Sequence, residues 1–287
     1  MDALTVRTKK KKHFLKIHIK SVLATLFLWA LTLTAVFPFL WMVGASLKRE
    51  PEVFQVPFTL FPSSPVLSNF ITVWTEYDYP RMFFNSVFVT VLGVAGAILL
   101  SCIAGYGFGR LRFPGREKVF LLYLVAMMIP GQLLMVPKYL ILREMHLYDN
   151  LWGLIIPTWF SIYGVFMMRQ FMMQIPESLS EAARIDGAGE WRICFQIIVP
   201  LCRPAILTLL ILFFSWTWND YDGALLFIQS TKNYTLPLGL SYFIDESGLR
   251  YNLVTAASVI TILPVFIVFL VAQKYFIGGL SAGAVKE

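Results

Sequence analysis

The sequence is poor in charge and in cysteine. Only 14% of its 287 residues are charged, against about 25% in a typical soluble domain, and 57% are hydrophobic, against about 45–50%. Its three cysteines form no C-x-x-C pair, so neither a zinc ribbon nor a dithiol redox site is indicated. These shortages exclude a disordered chain, an acidic tail protein and a disulfide scaffold, and they leave a polytopic membrane protein.

Long uncharged runs supply the positive evidence. A helix needs about 20 apolar residues to cross the hydrocarbon core of a bilayer. A backbone in lipid must pair its amides within the segment, so such runs are helices. The sequence therefore predicts an all-α bundle with six transmembrane helices. The runs are 21–43, 83–108, 119–137, 151–168, 204–219 and 252–273.

The basic residues set the orientation. With the N-terminus in the cytoplasm, 17 of the 24 Lys and Arg residues lie in cytoplasmic segments and 7 lie outside, which predicts N-in and C-in topology. The net charge of +7 is then a topology signal and a contact for anionic lipid, so no nucleic acid is expected as a partner. The first run exceeds the apolar core of a signal peptide, which favours a retained span.

These assignments divide the chain into five parts. They are a basic cytoplasmic tail at 1–20, the first transmembrane helix at 21–43, an external loop at 44–82, a five-helix core at 83–276 with a cytoplasmic loop at about 174–203, and a cytoplasmic tail at 277–287.

The cytoplasmic loop has the composition of two short helices around an elbow. Pro176 suits a first helical turn, and Ser178 with Glu181 has the spacing of a capping box. Gly187 and Gly189 predict the end of the first helix. The apolar side chains after the elbow predict anchors for another protein; they are Trp191, Ile193 and Phe195. The alternative is a loop that lies on its own bundle.

The loop also carries a motif of fixed spacing. Glu181-Ala182-Ala183 is followed by Gly187, Ile197 and Val199-Pro200. This pattern resembles the EAA loop of the permease subunits of binding-protein-dependent ABC importers. The one departure is Val199, where the pattern has Leu.

Other segments resemble the carbohydrate branch of that family, in particular the smaller permease of the maltose-transporter type. They are Ile129-Pro130-Gly131-Gln132 with Pro137 and Tyr139, Trp218-Asn219-Asp220, Tyr234–Gly239, Gln273–Phe276 and Gly279–Lys286.

The resemblance implies a transport subunit that performs no covalent chemistry. Its implied partners are a second, homologous permease, two ATPase subunits, an external substrate-binding protein, membrane lipid and a carbohydrate. ATP and magnesium are expected in the ATPase, with no cofactor or metal in this chain. Residues 281–287 are a further implied ATPase contact. The coupling residues implied by the motif are Glu181, Ala182, Ala183 and Gly187, with Arg184 and Asp186 beside them as ion-pair partners.

The absence of enzyme motifs agrees with the expectation that ATP is bound by a separate chain. The chain has no Gly-Lys-Ser or Gly-Lys-Thr of a P-loop and no H-E-x-x-H. An intramembrane enzyme would need an acid–base or metal constellation, and a secondary transporter would need ionisable residues within its spans; neither pattern is seen. A permease for a non-sugar solute, such as a phosphorylated polyol, stays open.

Two groups of polar and aromatic residues are candidates for a substrate path. Gln132 follows a Pro-Gly pair in the third run, where a broken helix can face a cavity; the alternative is a kink satisfied by neighbouring helices. The second group lies at the outer end of the fifth run and suits sugar faces and hydroxyls, or an interfacial aromatic belt. It comprises Trp216, Trp218, Asn219, Asp220 and Tyr221.

A stripe of small residues follows one face of the second run. Such a face allows close packing of helices, either inside this bundle, which we favour, or against the second permease. Its members are Gly93, Ala97, Ser101, Gly105 and Gly109.

Overall fold

The computed structural model describes residues 2–245 and 250–284, and these residues form helices without a β-strand. The predicted all-α class is therefore confirmed for the described chain. In order, the α-helices are α1 (Asp2–Ser46), α2 (Ser68–Glu76), α3 (Tyr79–Arg110), α4 (Arg116–Val125), α5 (Met135–Glu144), α6 (Trp152–Thr158), α7 (Ile162–Gln174), α8 (Glu177–Ile185), α9 (Glu190–Arg192), α10 (Val199–Leu201), α11 (Arg203–Trp218), α12 (Tyr221–Phe227), α13 (Leu236–Asp245) and α14 (Tyr251–Ala284). Short 3₁₀ segments lie at Glu50–Glu52, Ala126–Met128, Gly131–Leu134 and Thr231–Asn233, and a π-helical segment lies at Ile193–Ile198.

Three helical stretches in the described chain are long and apolar enough to cross a membrane: Ser21–Ser46, Tyr79–Arg110 and Tyr251–Ala272. Two bent pairs raise the number to as many as five if each is one broken span. One pair joins Arg116–Met128 to Gly131–Glu144 at 96°, and the other joins Glu190–Leu201 to Arg203–Trp218 at 79°. The chain thus has the helices of a membrane-embedded bundle, and the predicted six is above this number.

Two predicted continuous spans are broken. The third run bends at Ile129–Pro130, where Ile129 is extended because the residue before proline is disfavoured in the helical region. The fourth run, 151–168, was predicted as one helix and is two. Ser161 starts the second of them, since its hydroxyl accepts a hydrogen bond from the amide of Gly164 at 3.2 Å. Between the two, the indole of Trp159 donates to the carbonyl of Leu92 at 3.0 Å.

The chain divides into two compact units, and the first comprises the residues up to Phe70 together with Arg250–Val259. Polar side chains organise this unit. The amide of Asn69 donates to the carbonyls of Ser46 and Lys48, both at 2.8 Å, and receives a hydrogen bond from Asn252 at 3.1 Å. The ammonium of Lys48 is buried and donates to the carbonyl of Thr59. The segment after α1 is therefore an ordered surface.

The remaining described residues form the second unit, in which α3 packs against α6, α7 and α11. Small residues on α3 allow the close approach to α7. A Cβ added at Gly105 would lie 2.6 Å from the Cβ of Met168, and one at Gly109 would lie 3.4 Å from the carbonyl oxygen of Arg169. Ala97 and Ser101 are fully buried. The stripe therefore serves internal packing, as predicted.

Candidate functional site

The predicted coupling motif lies on α8 and the turn that follows it. The helix ends in a Schellman motif: the amide of Gly187 donates to the carbonyl of Arg184 at 3.0 Å, and that of Ala188 to Ala183 at 2.9 Å. Gly187 has φ +82°, a left-handed conformation that costs a residue with a Cβ about 1–2 kcal/mol. The glycine elbow predicted here is therefore confirmed.

The start of α8 differs from the prediction. Pro176 is the N-cap and provides no side-chain hydrogen bond. Ser178 is the second residue of the helix rather than its cap, so the predicted capping box with Glu181 is wrong. Pro176 fixes the entry of the chain two residues earlier than the Ser-x-x-Glu spacing indicates.

The two faces of α8 have different environments. Ser180 and Ala183 face inward and are buried, and Ala183 packs in a cluster with Tyr106, Met168 and Ile193. The opposite face is open: Ile185 is 86% exposed. Glu181, Ala182, Asp186 and Gly187 are also exposed. The outer face of α8 thus presents an exposed apolar side chain beside an exposed glutamate.

The second half of the loop contributes one exposed aromatic pair. Trp191 and Phe195 stack with centroids 5.9 Å apart and planes 5° from parallel, and Trp191 is 67% exposed. Ile193 is fully buried in the cluster beneath α8, so its predicted role as an anchor for another protein is wrong. The inner face of the loop thus lies on its own bundle, while docking of another protein on the outer, exposed face stays a prediction.

Polar contacts tie the loop to the end of α3. The guanidinium of Arg184 pairs with Glu190 at 2.8 Å, and Arg112 pairs with Glu177 at 2.7 Å. The hydroxyl of Tyr106 donates to Glu190. Arg184, predicted as an ion-pair partner, is thus engaged within its own loop. Asp186 is exposed and has no ion pair among the described residues.

A cavity of about 330 Å³ with a mixed polar and apolar lining brings together two of the predicted path residues, Gln132 and Asp220. Lys138 and Asp222 share its wall, and both act electrostatically on Asp220. Asp220 also caps α12, since its carboxylate accepts from the amide of Gly223 at 2.9 Å. The bend at Pro130 places Gln132 at the cavity, as the broken-helix interpretation predicts.

The other predicted path residues do not line this cavity in the described chain. The indole of Trp218 is 2% exposed, stacks on Phe214 at 5.5 Å and donates to the carbonyl of Thr261 at 2.9 Å. In this structure Trp218 is a packing residue. Trp216 is 54% exposed and Tyr221 is exposed as well. The amide of Asn219 donates to the carbonyl of Ser215 at 2.8 Å.

Sequence reasoning missed Lys138, Asp222 and the exposure of Ile185. Asp222 had a signal, since it lies two residues after Asp220 in a Trp-Asn-Asp-Tyr-Asp run. Lys138 had one as well, a cation within an apolar segment. Of the predicted tail contact, residues 285–287 lie outside the described residues. No three His, Cys, Asp or Glu side chains in the described chain are grouped to hold a metal ion.

Known proteins identify the class of this all-helical chain. The family model of the binding-protein-dependent transport system inner membrane component matches residues 97–281. The chain belongs to this family, which confirms the membership predicted from the loop motif. It is therefore a membrane-embedded transport component.

Individual relatives extend the match to most of the chain. The arabinooligosaccharides transport system permease protein AraQ of Halalkalibacterium halodurans is 36% identical over 88% of this chain and 91% of its own length. The lactose transport system permease protein LacG of Rhizobium radiobacter is 30% identical over 88% and 91%. Among solved structures, a chain of a bacterial ABC transporter involved in the import of the acidic polysaccharide alginate has a TM-score of 0.81 and 26% identity, with 90% of this chain and 97% of that chain covered.

Proposed function

We propose that this chain is one of the two permease subunits of an ATP-driven importer that carries a carbohydrate, most simply an oligosaccharide, across the cytoplasmic membrane. The relatives named for arabinooligosaccharides and lactose support the substrate class. The observation that carries the mechanism is the outer face of α8, where Ile185 is 86% exposed beside Glu181 and Ala182.

The proposed topology has six membrane crossings with both termini in the cytoplasm. Two of the six are the bent pairs, and α6 with α7 forms a further broken crossing. The excess of basic residues on one side supports this orientation. The described cysteines are all buried, so single reporter cysteines have little background. A membrane-impermeant maleimide should label His146→Cys in intact cells and Asp186→Cys only after permeabilisation. The reverse order would refute the orientation.

Four other subunits complete the proposed complex: a second, homologous permease, two ATPase chains and an external substrate-binding protein. ATP and magnesium bind in the ATPase, and this chain provides the surface that the ATPase moves. Ile185 and Trp191 are the apolar anchors of that surface. Glu181 and Asp186 are its exposed anions, since Glu177 and Glu190 are engaged with arginines of this chain.

Transport proceeds by alternating access. Closure of the ATPases on ATP displaces α8. The inner face of α8 shares a packed core with α3 and α7, so the displacement reaches the membrane helices, because packed interiors transmit strain. The helices then open outward to accept the sugar, and hydrolysis resets them. The cavity with Gln132, Lys138, Asp220 and Asp222 is this chain's share of the sugar path, since its amide, ammonium and carboxylate groups pair with hydroxyls.

Purification from mild detergent tests the proposal. The tagged wild-type chain should bring down a second hydrophobic permease and a P-loop ATPase, identified by mass. Ile185→Glu should lose the ATPase and keep the permease, whereas Met145→Glu should lose neither; Met145 is an exposed apolar residue outside the loop, at 54%. Recovery of the chain alone, stable and monodisperse, would refute the importer.

Uptake of labelled sugar tests the motif itself. Glu181→Lys should reduce uptake about thirtyfold or more, the scale of losing one interface hot spot, with normal insertion in the membrane. Glu144→Lys is the matched control, an exposed glutamate at the end of α5. Normal uptake by Glu181→Lys would remove this residue from the coupling surface.

A further inference from the structure

A cavity of about 550 Å³ lies between the end of α3, the end of α7 and the inner side of α8. Arginines dominate its wall. Arg110 and Arg112 come from the end of α3, Arg116 from the start of α4 and Arg184 from α8, with Glu177 as the carboxylate among the lining residues. This cavity is separate from the 330 Å³ cavity that Gln132 and Asp220 line.

Three of the four arginines pair with a carboxylate of the described chain, and the fourth does not. Arg112 pairs with Glu177 at 2.7 Å, and Arg184 with Glu190 at 2.8 Å. Arg116 pairs with Glu117, which is shared with the buried Arg169. Arg110 has no carboxylate partner among the described residues; its Nη2 donates to the carbonyl of Pro176 at 3.3 Å. The cavity therefore has more guanidinium groups than carboxylates to balance them.

Two donors in the cavity wall are unsatisfied. The Nε of Arg110 and the hydroxyl of Ser180 are buried without a hydrogen-bond partner, and Ser180 is 2% exposed. Buried polar groups in native proteins nearly always have a partner, and an orphaned donor is costly. Both orphans are donors, and both lie where cationic charge is in excess. An acceptor-rich anion in the cavity would balance the excess charge, and a rotation of either side chain would bring its orphaned donor to that anion.

The geometry points to a phosphate group as the ligand of this cavity. Guanidinium groups match phosphate oxygens in paired hydrogen bonds, and a phosphate accepts from several arginines at once. Arg110 is the last residue of the membrane-spanning stretch Tyr79–Arg110, so the cavity opens at the depth of phospholipid headgroups. The phosphate belongs either to an anionic phospholipid or to a soluble phosphate.

Occupancy has a mechanical consequence for α8. Ser180 and Arg184 lie on α8, while Arg110 lies on α3. A phosphate between them would join the two helices and hold α8 in the position described here. The inference stands on the cavity alone and does not depend on the sugar or on the ATPase.

The purified full chain in lipid nanodiscs tests the site with two probes. The first compares retention of phosphatidylglycerol and phosphatidylcholine by native mass spectrometry. The second adds inorganic phosphate to chain in phosphatidylcholine alone and follows its thermal stability. The variants are Arg110→Gln, Arg110→Lys and Ser180→Ala, with Arg143→Gln, an exposed cation of α5, as the control.

If the phosphate belongs to a lipid, the wild-type chain should retain phosphatidylglycerol in preference to phosphatidylcholine. Arg110→Gln should weaken this retention about tenfold, which is the scale of one charge-assisted hydrogen bond. The soluble source predicts stabilisation by inorganic phosphate, lost in Arg110→Gln. Arg110→Lys should fall between wild type and Arg110→Gln, and Ser180→Ala should weaken either ligand while the chain stays folded.

Three results would overturn the site. One is binding of both probes that Arg110→Gln and Ser180→Ala leave unchanged. Another is an equal loss of probe binding in Arg143→Gln, which would show that the net charge of the chain, and not this cavity, binds the probes. The third is release of the ATPase by Arg110→Gln in the assembled complex without a change in either probe, which would make the cavity a protein contact.

Discussion

The hydroxyl of Tyr106 donates to the carboxylate of Glu190, and the same carboxylate accepts from Nε of Arg184 at 2.8 Å. Tyr106 is buried on the membrane helix α3, while Glu190 begins the second half of the loop and Arg184 belongs to α8. One carboxylate thus connects three elements. It is a polar route from α8 to a membrane helix.

Removal of the Tyr106 hydroxyl should weaken this route without disturbing the core. Tyr106→Phe keeps the buried ring and leaves Glu190 paired with Arg184. The free energy of coupling between α8 and α3 should therefore fall by about 1 kcal/mol, which is about fivefold in an equilibrium constant. Uptake per ATP hydrolysed by the assembled complex should fall by that factor. Tyr123→Phe, a tyrosine of α4, is the control. Equal coupling in Tyr106→Phe and wild type would show that the packed core alone carries the motion.

The two glycines of the elbow should respond differently to alanine. Gly187 has φ +82° and Gly189 has φ −74°, and an added Cβ meets nothing within 4 Å at either. Conformation alone therefore distinguishes them. Gly187→Ala should destabilise the turn by about 1–2 kcal/mol and reduce the ATPase retained on purification, whereas Gly189→Ala should retain wild-type amounts. Similar retention by the two variants would contradict the need for the left-handed turn.

A second glycine pair tests the packing of α3 on α7. A Cβ at Gly105 would lie 2.6 Å from the Cβ of Met168, whereas one at Gly107 has open space. Gly105→Ala should lower the free energy of unfolding by about 1–3 kcal/mol through overpacking. Gly107→Ala should be neutral or stabilising by up to about 1 kcal/mol, since alanine favours the helix. Thermal unfolding in detergent measures both, and a Gly105→Ala variant as stable as Gly107→Ala would remove the proposed steric limit.

The Asp149 carboxylate should stabilise the connection between α12 and α13. It accepts from the amides of Gln229 at 3.0 Å and Ser230 at 2.8 Å, and from the Ser230 hydroxyl. Burial raises the pKa of Asp149, but these hydrogen bonds outweigh it and lower the pKa to about 2. Because the folded pKa is depressed, the stabilisation is fully present above about pH 4, the ordinary Asp pKa, and is lost as pH falls towards 2.

Asp149→Asn and Asp149→Ala measure this contribution. Asparagine keeps a neutral acceptor and alanine keeps none, so the melting temperature at pH 6 should decrease from wild type to Asn to Ala. The loss in Ala should be about 1–3 kcal/mol, as for a lost charged acceptor. The gap between wild type and Asn should narrow at pH 3. A gap that is constant with pH would mean that the charge contributes nothing.

The sequence predicted those features that a residue's own chemistry dictates. Gly187 ends α8 because glycine takes the left-handed turn, and Pro130 bends the third run because it lacks an amide. The motif at Glu181 also identified the family. Each of these signals is local and can be read without knowing what surrounds the residue.

Features that depend on neighbouring helices were not predictable. The break after α6 needs the carbonyl of Leu92 as the partner of Trp159, a contact between residues far apart in sequence. Ile193 is buried and Ile185 is exposed because the loop packs through Ala183 and Ile193 on the membrane helices, where Met168 lies. A nine-residue helix offers too few positions for its buried face to be read from hydropathy alone.

The structure restricts substitutions in the first helix, α1, in a different way from substitutions in α3. Every residue from 21 to 40 is exposed, so the described side chains of its own unit do not cover that stretch. A substitution there has no packed neighbour to disturb within that unit. Sequence change along 21–40 is thus limited by hydropathy and by the length of the span. Sequence change along α3 is limited at each position by the side-chain volume that the packing allows. Related chains should differ freely in the one and keep small residues in the other.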